Sequence, residues 1–200
     1  MNCMNVGKTI TVDPQEYLDV VDEQDGELGI RKLRTEVHRE GDWHREAHVF
    51  VYNHDGQLLY QLRGPHQESF PNCWDVSAGG HVEAGTDYLT SAVKELEEEL
   101  GIKANTNELM EAMYWHDEIK DPVRGLINRA WRKTFLYGYD GEIQDLKLEE
   151  GKVMQARFFT EKEIMSYNED YGKGISLIPE YKWYYKRVFD KVRNVLEQEA

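Results

Sequence analysis

The chain has 200 residues, of which 40% are hydrophobic, and it carries a formal net charge of −14 with a pI near 4.9. This length and hydrophobic content suit one domain with a real core, while the acidic balance argues against a nucleic-acid groove, which needs a basic surface. No apolar run approaches the ~20 residues that span a bilayer, and the polar start lacks a signal-peptide core, so we expect a cytoplasmic protein without a membrane partner. Cys3 and Cys73 show no paired spacing, which indicates neither a disulfide framework nor a zinc site.

The first half of the chain predicts two β-hairpins. Residues 17–21 and 28–33 are short apolar runs on either side of a turn, which is typical of a hairpin. Residues 43–52 are rich in β-forming side chains and end at the turn Asn53-His54-Asp55-Gly56. Residues 57–62 are therefore the expected partner strand.

The second half combines further strands with helices. A short strand at 75–78 leads into a Gly-rich turn and a helix within residues 79–102. Three more strands are predicted, at 108–119, 129–139 and 152–159. Residues 160–163 have the form of a capping box that opens a helix, and residues 179–199 place apolar side chains on one helical face. This pattern indicates an α+β fold.

The helix after the Gly-rich turn carries the strongest functional signal. Glu95, Glu98 and Glu99 are spaced i, i+3 and i+4, which predicts one acidic face. Such a cluster is costly unless a cation neutralises it, and hard ions such as Mg²⁺ prefer oxygen ligands. We therefore predict a Mg²⁺ site, with Mn²⁺ as the alternative ion. The opposite side is expected to pack on the core through Ala92, Leu96 and Leu100.

The segment 79–102 resembles a Nudix box, the motif Gly-x5-Glu-x7-Arg-Glu-U-x-Glu-Glu-x-Gly-U, in which U is a large aliphatic residue. The positions in register are Gly80, Glu95, Leu96, Glu98, Glu99, Gly101 and Ile102. The first Glu of the motif is Thr86 here and its Arg is Lys94, and in the family these two side chains pair with each other. We expect Thr86 to be the N-cap of the helix instead, with Asp87 in the first turn.

The resemblance implies an α/β/α sandwich with a mixed β-sheet and a loop-helix-loop catalytic motif. The usual domain size predicts an N-terminal lead-in at 1–16, a Nudix hydrolase domain at 17–165, and a C-terminal helical segment at 166–200 that packs on it. The implied activity is metal-dependent attack of water on a diphosphate linkage in a nucleoside diphosphate derivative or related organic diphosphate. The expected partners are this small molecule and, as in many relatives, a second copy of the chain.

The resemblance also implies roles for individual residues. Glu95 and Glu99 are the expected metal ligands, and Glu98 either binds a second ion or helps to deprotonate water. The backbone of the Gly turn, at Gly79 or Gly80, is expected to add a ligand.

Other expected site residues lie outside the acidic face. The predicted substrate contacts are Arg63, Lys94 and His81. Glu149 and Glu150 are the nearest candidates for a further catalytic base, since Lys152 stands where many relatives carry Glu. Substrate choice is expected to depend on other loops, with residues 167–185, Trp115 and Trp131 as contributors.

The stretch from His44 to His81 also resembles the type 1 isopentenyl-diphosphate isomerases, which move a double bond and hydrolyse nothing. The likeness lies in the segments NHDGQLLYQLRG and FPNCW and in the Gly-His pair. It puts His44 and His81 at two of the isomerases' metal-ligand positions, and Arg63 near a diphosphate contact.

The remaining histidines lack a regular metal spacing and are expected to form ordinary hydrogen bonds: His38, His48, His54, His66 and His116.

Two alternatives to hydrolysis stay open. Isomerisation is disfavoured because Gly79 stands where the isomerases have their catalytic Cys, and Asn128 and Ala130 replace their later Glu-x-Glu pair. A binding module that kept the fold and lost the activity is motivated by Thr86 and Lys94.

Overall fold

A computed structural model gives the fold of residues 16–67, 69–121, 124–166, 177–178 and 182–199. The strands in these residues are β1 (Tyr17–Val21), β2 (Glu27–Leu33), β3 (Trp43–Tyr52), β4 (Leu58–Arg63), β5 (Trp74–Asp75), β6 (Ala78–His81), β7 (Met110–Asp121), β8 (Leu126–Gly138) and β9 (Val153–Phe159). The helices are α1 (Arg34–Glu40), α2 (Tyr88–Leu100), α3 (Glu161–Ser166) and α4 (Lys182–Glu199).

All the described strands join one mixed sheet. β3 pairs in parallel with β8 over its whole length, from Trp43 beside Arg129 to Tyr52 beside Gly138. β1, β4 and β6 pair antiparallel with β3, and the other strands extend the sheet from these neighbours. This mixed sheet confirms the predicted α+β class.

Two hydrophobic cores lie on opposite faces of the sheet. β3 contributes to both, because alternate side chains of a strand point to opposite faces. Val49 belongs to the core that includes Leu96 of α2, whereas Phe50 belongs to the core that includes Tyr184 of α4. All four side chains are fully buried. The result is the predicted α/β/α sandwich.

The ends of α2 differ in part from the prediction. Asp87, not Thr86, is the N-cap, and its carboxylate accepts hydrogen bonds from the amides of Leu89 and Thr90. Thr86 instead donates its hydroxyl to the carbonyl of Glu83. The prediction for Thr86 was therefore wrong by one residue. Gly101 ends the helix in a left-handed conformation with φ 70°.

Short elements account for the other differences. α1 was not predicted. The strand expected at 75–78 is two separate strands, because β5 pairs with β4 whereas β6 pairs with β3. The capping box at Thr160 and Glu163 is confirmed by reciprocal hydrogen bonds at the start of α3.

The predicted domain boundaries stay predictions. Residues 1–15 of the expected lead-in, and much of the Tyr-rich stretch within 167–185, lie outside the described residues. The described part of the C-terminal segment includes α4, whose apolar side packs on the sheet. None of the helices in the described ranges is both long and apolar enough to cross a membrane.

Candidate active site

Two glutamates of the acidic helix face are buried against the Gly-rich strand β6. Glu95 is 8% exposed and Glu99 is 1% exposed. Glu98 differs, because its side chain is 48% exposed and lies 3.7 Å from the ammonium of Lys94. The predicted single face of three carboxylates is therefore divided into a buried pair and one solvent-facing neighbour.

Hydrogen bonds fix the orientation of the Glu99 carboxylate. Its Oε2 accepts from the Gly79 amide at 3.0 Å and from the Gln61 side-chain amide at 2.7 Å. Oε1 remains directed at the Lys152 ammonium, 3.1 Å away. Gly79 thus contacts Glu99 through its N–H. That the Gly79 backbone also adds a metal ligand stays a prediction.

Gly80 makes room for the Glu95 carboxylate. A Cβ at this position would collide with the Glu95 carboxylate, so the absence of a side chain leaves that carboxylate its place against the strand. Glu95 Oε2 is buried and has no hydrogen-bond donor among the described residues. A buried carboxylate oxygen without a donor beside a second carboxylate fits a hard divalent cation.

Lys152 lies beside this pair of carboxylates. Its Nζ is 3.5 Å from Glu95, 3.1 Å from Glu99 and 3.4 Å from Glu149. Burial, and then the neighbouring Glu99 carboxylate, raise the pKa of Glu95, and burial raises the pKa of Glu99 against the opposing effect of Lys152. Burial would lower the pKa of Lys152, but these carboxylates raise it above its usual value, so the amine is charged.

A second cluster joins three histidines from different elements. His38 of α1, His44 of β3 and His81 of β6 each offer a ring nitrogen, and these nitrogens lie within 4.8 Å of one another. The expectation that His38 is an ordinary hydrogen bonder missed this grouping. Imidazole nitrogens suit transition metals better than Mg²⁺.

The buried His44 has a defined orientation in this cluster. Its Nδ1 lies 3.2 Å from the carbonyl of Asp42, which fixes Nδ1 as the protonated nitrogen. Its Nε2 has no hydrogen-bond partner among the described residues, so a lone pair faces the other two rings. Burial lowers the pKa of His44, which favours this neutral form.

Glu46 adds a carboxylate beside the histidines. Its Oε1 lies 3.7 Å from His44 Nε2 and 3.6 Å from His81 Nε2. Arg132 donates to Oε2 at 2.6 Å, and Asn128 donates to Oε1 at 2.9 Å. Burial would raise the pKa of Glu46, but Arg132 and the histidines hold it well below its usual range.

The other predicted residues are engaged with protein groups. Arg63 donates to Asp75 at 2.8 Å and to the carbonyl of Ser69 at 3.1 Å. Lys94 pairs with Glu83 as well as with Glu98.

The predicted base candidates and aromatic residues take different positions. Glu149 contacts Lys152, whereas Glu150 is exposed. Trp115 is buried in the core on the α4 side, and Trp131 stacks on Tyr114 with ring centres 5.0 Å apart.

Comparison with known proteins assigns the family. The NUDIX domain model matches residues 42–179. Nudix hydrolase 3 of Arabidopsis thaliana is 34% identical over 180 residues, which cover 82% of this chain but only 23% of that protein. An uncharacterized Nudix hydrolase of Clostridium acetobutylicum is 35% identical over 143 residues, which cover 70% of this chain and 68% of that protein.

The fold is also similar to that of a solved structure. The crystal structure of a Deinococcus radiodurans protein matches it with a TM-score of 0.66 and 22% identity over 86% of this chain and 98% of that one. The names of the reported relatives do not mention isopentenyl-diphosphate isomerases, so the resemblance of this chain to those enzymes stays a prediction. Since the domain match covers more than half of the sequence, the chain belongs to the Nudix hydrolase family.

Proposed function

We propose that the protein hydrolyses a diphosphate linkage in a nucleoside diphosphate derivative or a related small organic diphosphate, with a divalent cation held by Glu95 and Glu99. Nudix hydrolases generally depend on a divalent metal. The observation that carries the proposal is the buried carboxylate pair beside Gly79 and Gly80, in which Glu95 Oε2 lacks a donor among the described residues. Mg²⁺ is the expected ion, and Mn²⁺ also suits oxygen ligands.

The chain's own residues prepare the site for this chemistry. Gln61 and the Gly79 amide hold Glu99 in one orientation, so its other oxygen, which faces the Lys152 ammonium, is preset for a cation. A cation bound there would neutralise phosphoryl oxygens and activate water. Glu98 is solvent-facing and next to Glu99, and we assign it either a second ion or the deprotonation of water. Glu149 is an alternative base.

Three basic side chains are the proposed substrate contacts. Each of these side chains now pairs with a protein carboxylate, and each could release it and bind a phosphate oxygen or an anionic edge of the substrate instead: Arg63, Lys94 and His81. Such local contacts let an acidic chain bind an anionic ligand. We expect the protein to work in the cytoplasm, and a homodimer is part of the proposal.

A substrate panel tests the proposal. Nucleoside di- and triphosphates, dinucleotides and prenyl diphosphates are incubated with and without Mg²⁺, and the phosphomonoesters, phosphate or pyrophosphate released are measured for the parent and for Glu99→Gln. We expect metal-dependent turnover of at least one substrate, and a loss of about 100-fold or more in the variant, because several kcal/mol of transition-state stabilisation depend on the ion.

Glu97→Gln is the matched control, because Glu97 lies on the same helix, faces solvent and pairs with Lys103. It changes the net charge equally and should leave turnover unchanged. An inert parent across the whole panel would contradict hydrolysis. Tight nucleotide binding by such an inert parent would instead support a binding module.

Isomerisation of isoprenoid diphosphates is the second candidate, and the histidine cluster is the observation that favours it. His38, His44 and His81 together with Glu46 offer a mixed nitrogen and oxygen donor set for a transition metal. Conversion of isopentenyl to dimethylallyl diphosphate without phosphate release would support this candidate. Phosphate release without isomerisation would exclude it as the main activity.

A further inference from the structure

Lys152 is held close to the carboxylates by its backbone. The Lys152 carbonyl accepts from the amide of Gly64 at 2.8 Å, and the Lys152 amide donates to the carbonyl of Glu149 at 3.2 Å. The Glu149 amide in turn donates to the carbonyl of Glu99, at the end of α2, at 3.1 Å. The loop that carries Lys152 is therefore fastened both to the helix that bears the glutamates and to the end of β4.

The oxygens that a cation would use are the ones that Lys152 contacts. Oε2 of Glu99 already accepts two hydrogen bonds, from Gly79 and Gln61, which leaves Oε1 as the oxygen available to a cation. Lys152 Nζ lies 3.1 Å from this Oε1 and 3.5 Å from Oε2 of Glu95, the oxygen that lacks a donor in the described part of the chain. An ion held by the two carboxylates would therefore meet the ammonium at the same oxygens.

Two cations cannot share these oxygens without strong repulsion, because like charges a few ångströms apart repel in a buried site. The Lys152 side chain can leave while its backbone stays. It is 33% exposed, so a path to solvent exists, and a lysine stem has several rotatable bonds. Glu149 lies 3.4 Å away and is itself partly exposed, which gives the displaced ammonium a partner outside the pair.

We propose that Lys152 competes with the divalent cation for Glu95 and Glu99, so that metal binding displaces its ammonium. The ammonium of Lys152 therefore lowers the affinity of the site for the metal ion. The inference rests on the proposed metal site at this pair. It differs from the catalytic proposal in that it concerns the affinity for the ion and the position of one lysine.

Metal titration of Lys152→Met is the first test. Met keeps most of the stem and removes the charge, and Lys147→Met makes the same charge change at an exposed position of the same loop. Isothermal titration with Mg²⁺ or Mn²⁺ should give a Kd about tenfold or more lower for Lys152→Met than for the parent, equivalent to at least about 1.4 kcal/mol. Lys147→Met should bind as the parent does.

The outcomes separate this inference from the proposed function. If the parent binds metal and Lys152→Met binds equally or more weakly, competition is refuted and the metal site stands. If neither binds, both are refuted. Circular dichroism establishes that the variants are folded.

A measurement on the parent protein makes the test independent of any variant. Amine-selective labelling followed by mass spectrometry gives the reaction rate of Lys152 with and without saturating Mg²⁺. Displacement predicts severalfold faster labelling of Lys152 with Mg²⁺ and an unchanged rate at Lys147. An unchanged or slower rate at Lys152 under conditions where calorimetry detects Mg²⁺ binding overturns the proposal.

Discussion

Replacement of Arg132 by Met should strongly destabilise the fold, because Arg132 neutralises a carboxylate in the protein interior. Arg132 is 2% exposed, and its Nε lies 2.6 Å from Oε2 of Glu46, which is 8% exposed. The same guanidinium also pairs with Asp117. Met fills much of the volume of the arginine stem but removes the guanidinium from Glu46, which then keeps the Asn128 amide and the neighbouring imidazoles as its partners among the described residues.

The expected size follows from the burial of both partners. At 2.6 Å and an effective dielectric constant of ~20, the pair attraction is about 6 kcal/mol. Some of this is offset by solvation changes, and breaking a buried pair typically costs about 3–5 kcal/mol. With an unfolding entropy of about 2 cal/mol/K for each of the 200 residues, the Tm should fall by roughly 7–12 °C.

Thermal unfolding followed by circular dichroism in EDTA measures this loss. Arg129→Met is the matched control, because Arg129 is 36% exposed and pairs with Glu118 at the surface, so its loss should stay below about 1 kcal/mol. Adding Glu46→Gln to Arg132→Met should recover at least about half of the loss, since the uncompensated charge is gone. A Tm drop no larger than that of Arg129→Met, or a double variant as unstable as the sum of the single variants, would refute the reasoning.

Two further predictions concern α2. Leu96→Ala should cost about 2–5 kcal/mol in urea unfolding, because Leu96 is fully buried, whereas Leu28→Ala at a 49% exposed position should cost under about 1 kcal/mol. Asp87→Ala should cost about 1 kcal/mol at neutral pH through loss of the N-cap. Hydrogen bonds from the amide and hydroxyl of Thr90 lower the pKa of Asp87, so this contribution is complete above the unfolded pKa near 3.8 and disappears as the pH falls through the lower folded pKa. The stability difference between parent and Asp87→Ala should therefore close in acid, and a constant difference down to pH 2 would contradict it.

The long elements could be predicted because their hydrophobic period is repeated many times. β3 and β8 carry ten or more residues each, and α4 repeats its apolar spacing over eighteen. α1 has only seven residues, and its N-cap is Leu33, which is not a typical capping residue. Its formation depends on packing of Val37 against β1, which a local pattern does not reveal.

Residue spacing alone predicted the candidate site only where its residues share one helix, whereas Gly79, His44 and His81 were reached through the family resemblances. Successive residues of a helix differ by about 100°, so Glu98 and Glu99 point in clearly different directions although both lie near Glu95. Residue spacing alone therefore grouped Glu98 with Glu95 and Glu99. The position of the core decides which of the three glutamates are buried. The histidine cluster joins three elements, yet strand alternation could have placed His44 and Glu46 on one face of β3.

The contacts of Lys152 connect the acidity of the chain with an anionic substrate. When a divalent cation is bound, Glu95, Glu99, Glu149, Lys152 and the ion together carry no net formal charge, provided the three carboxylates are ionised. Without the lysine the same group would carry a formal charge of −1. A lysine that weakens metal binding therefore also makes the loaded site less negative by one charge, and in a chain with a net charge of −14 this difference favours a diphosphate. The same charge thus has opposite effects on the two ligands, because it repels the metal ion and attracts the substrate.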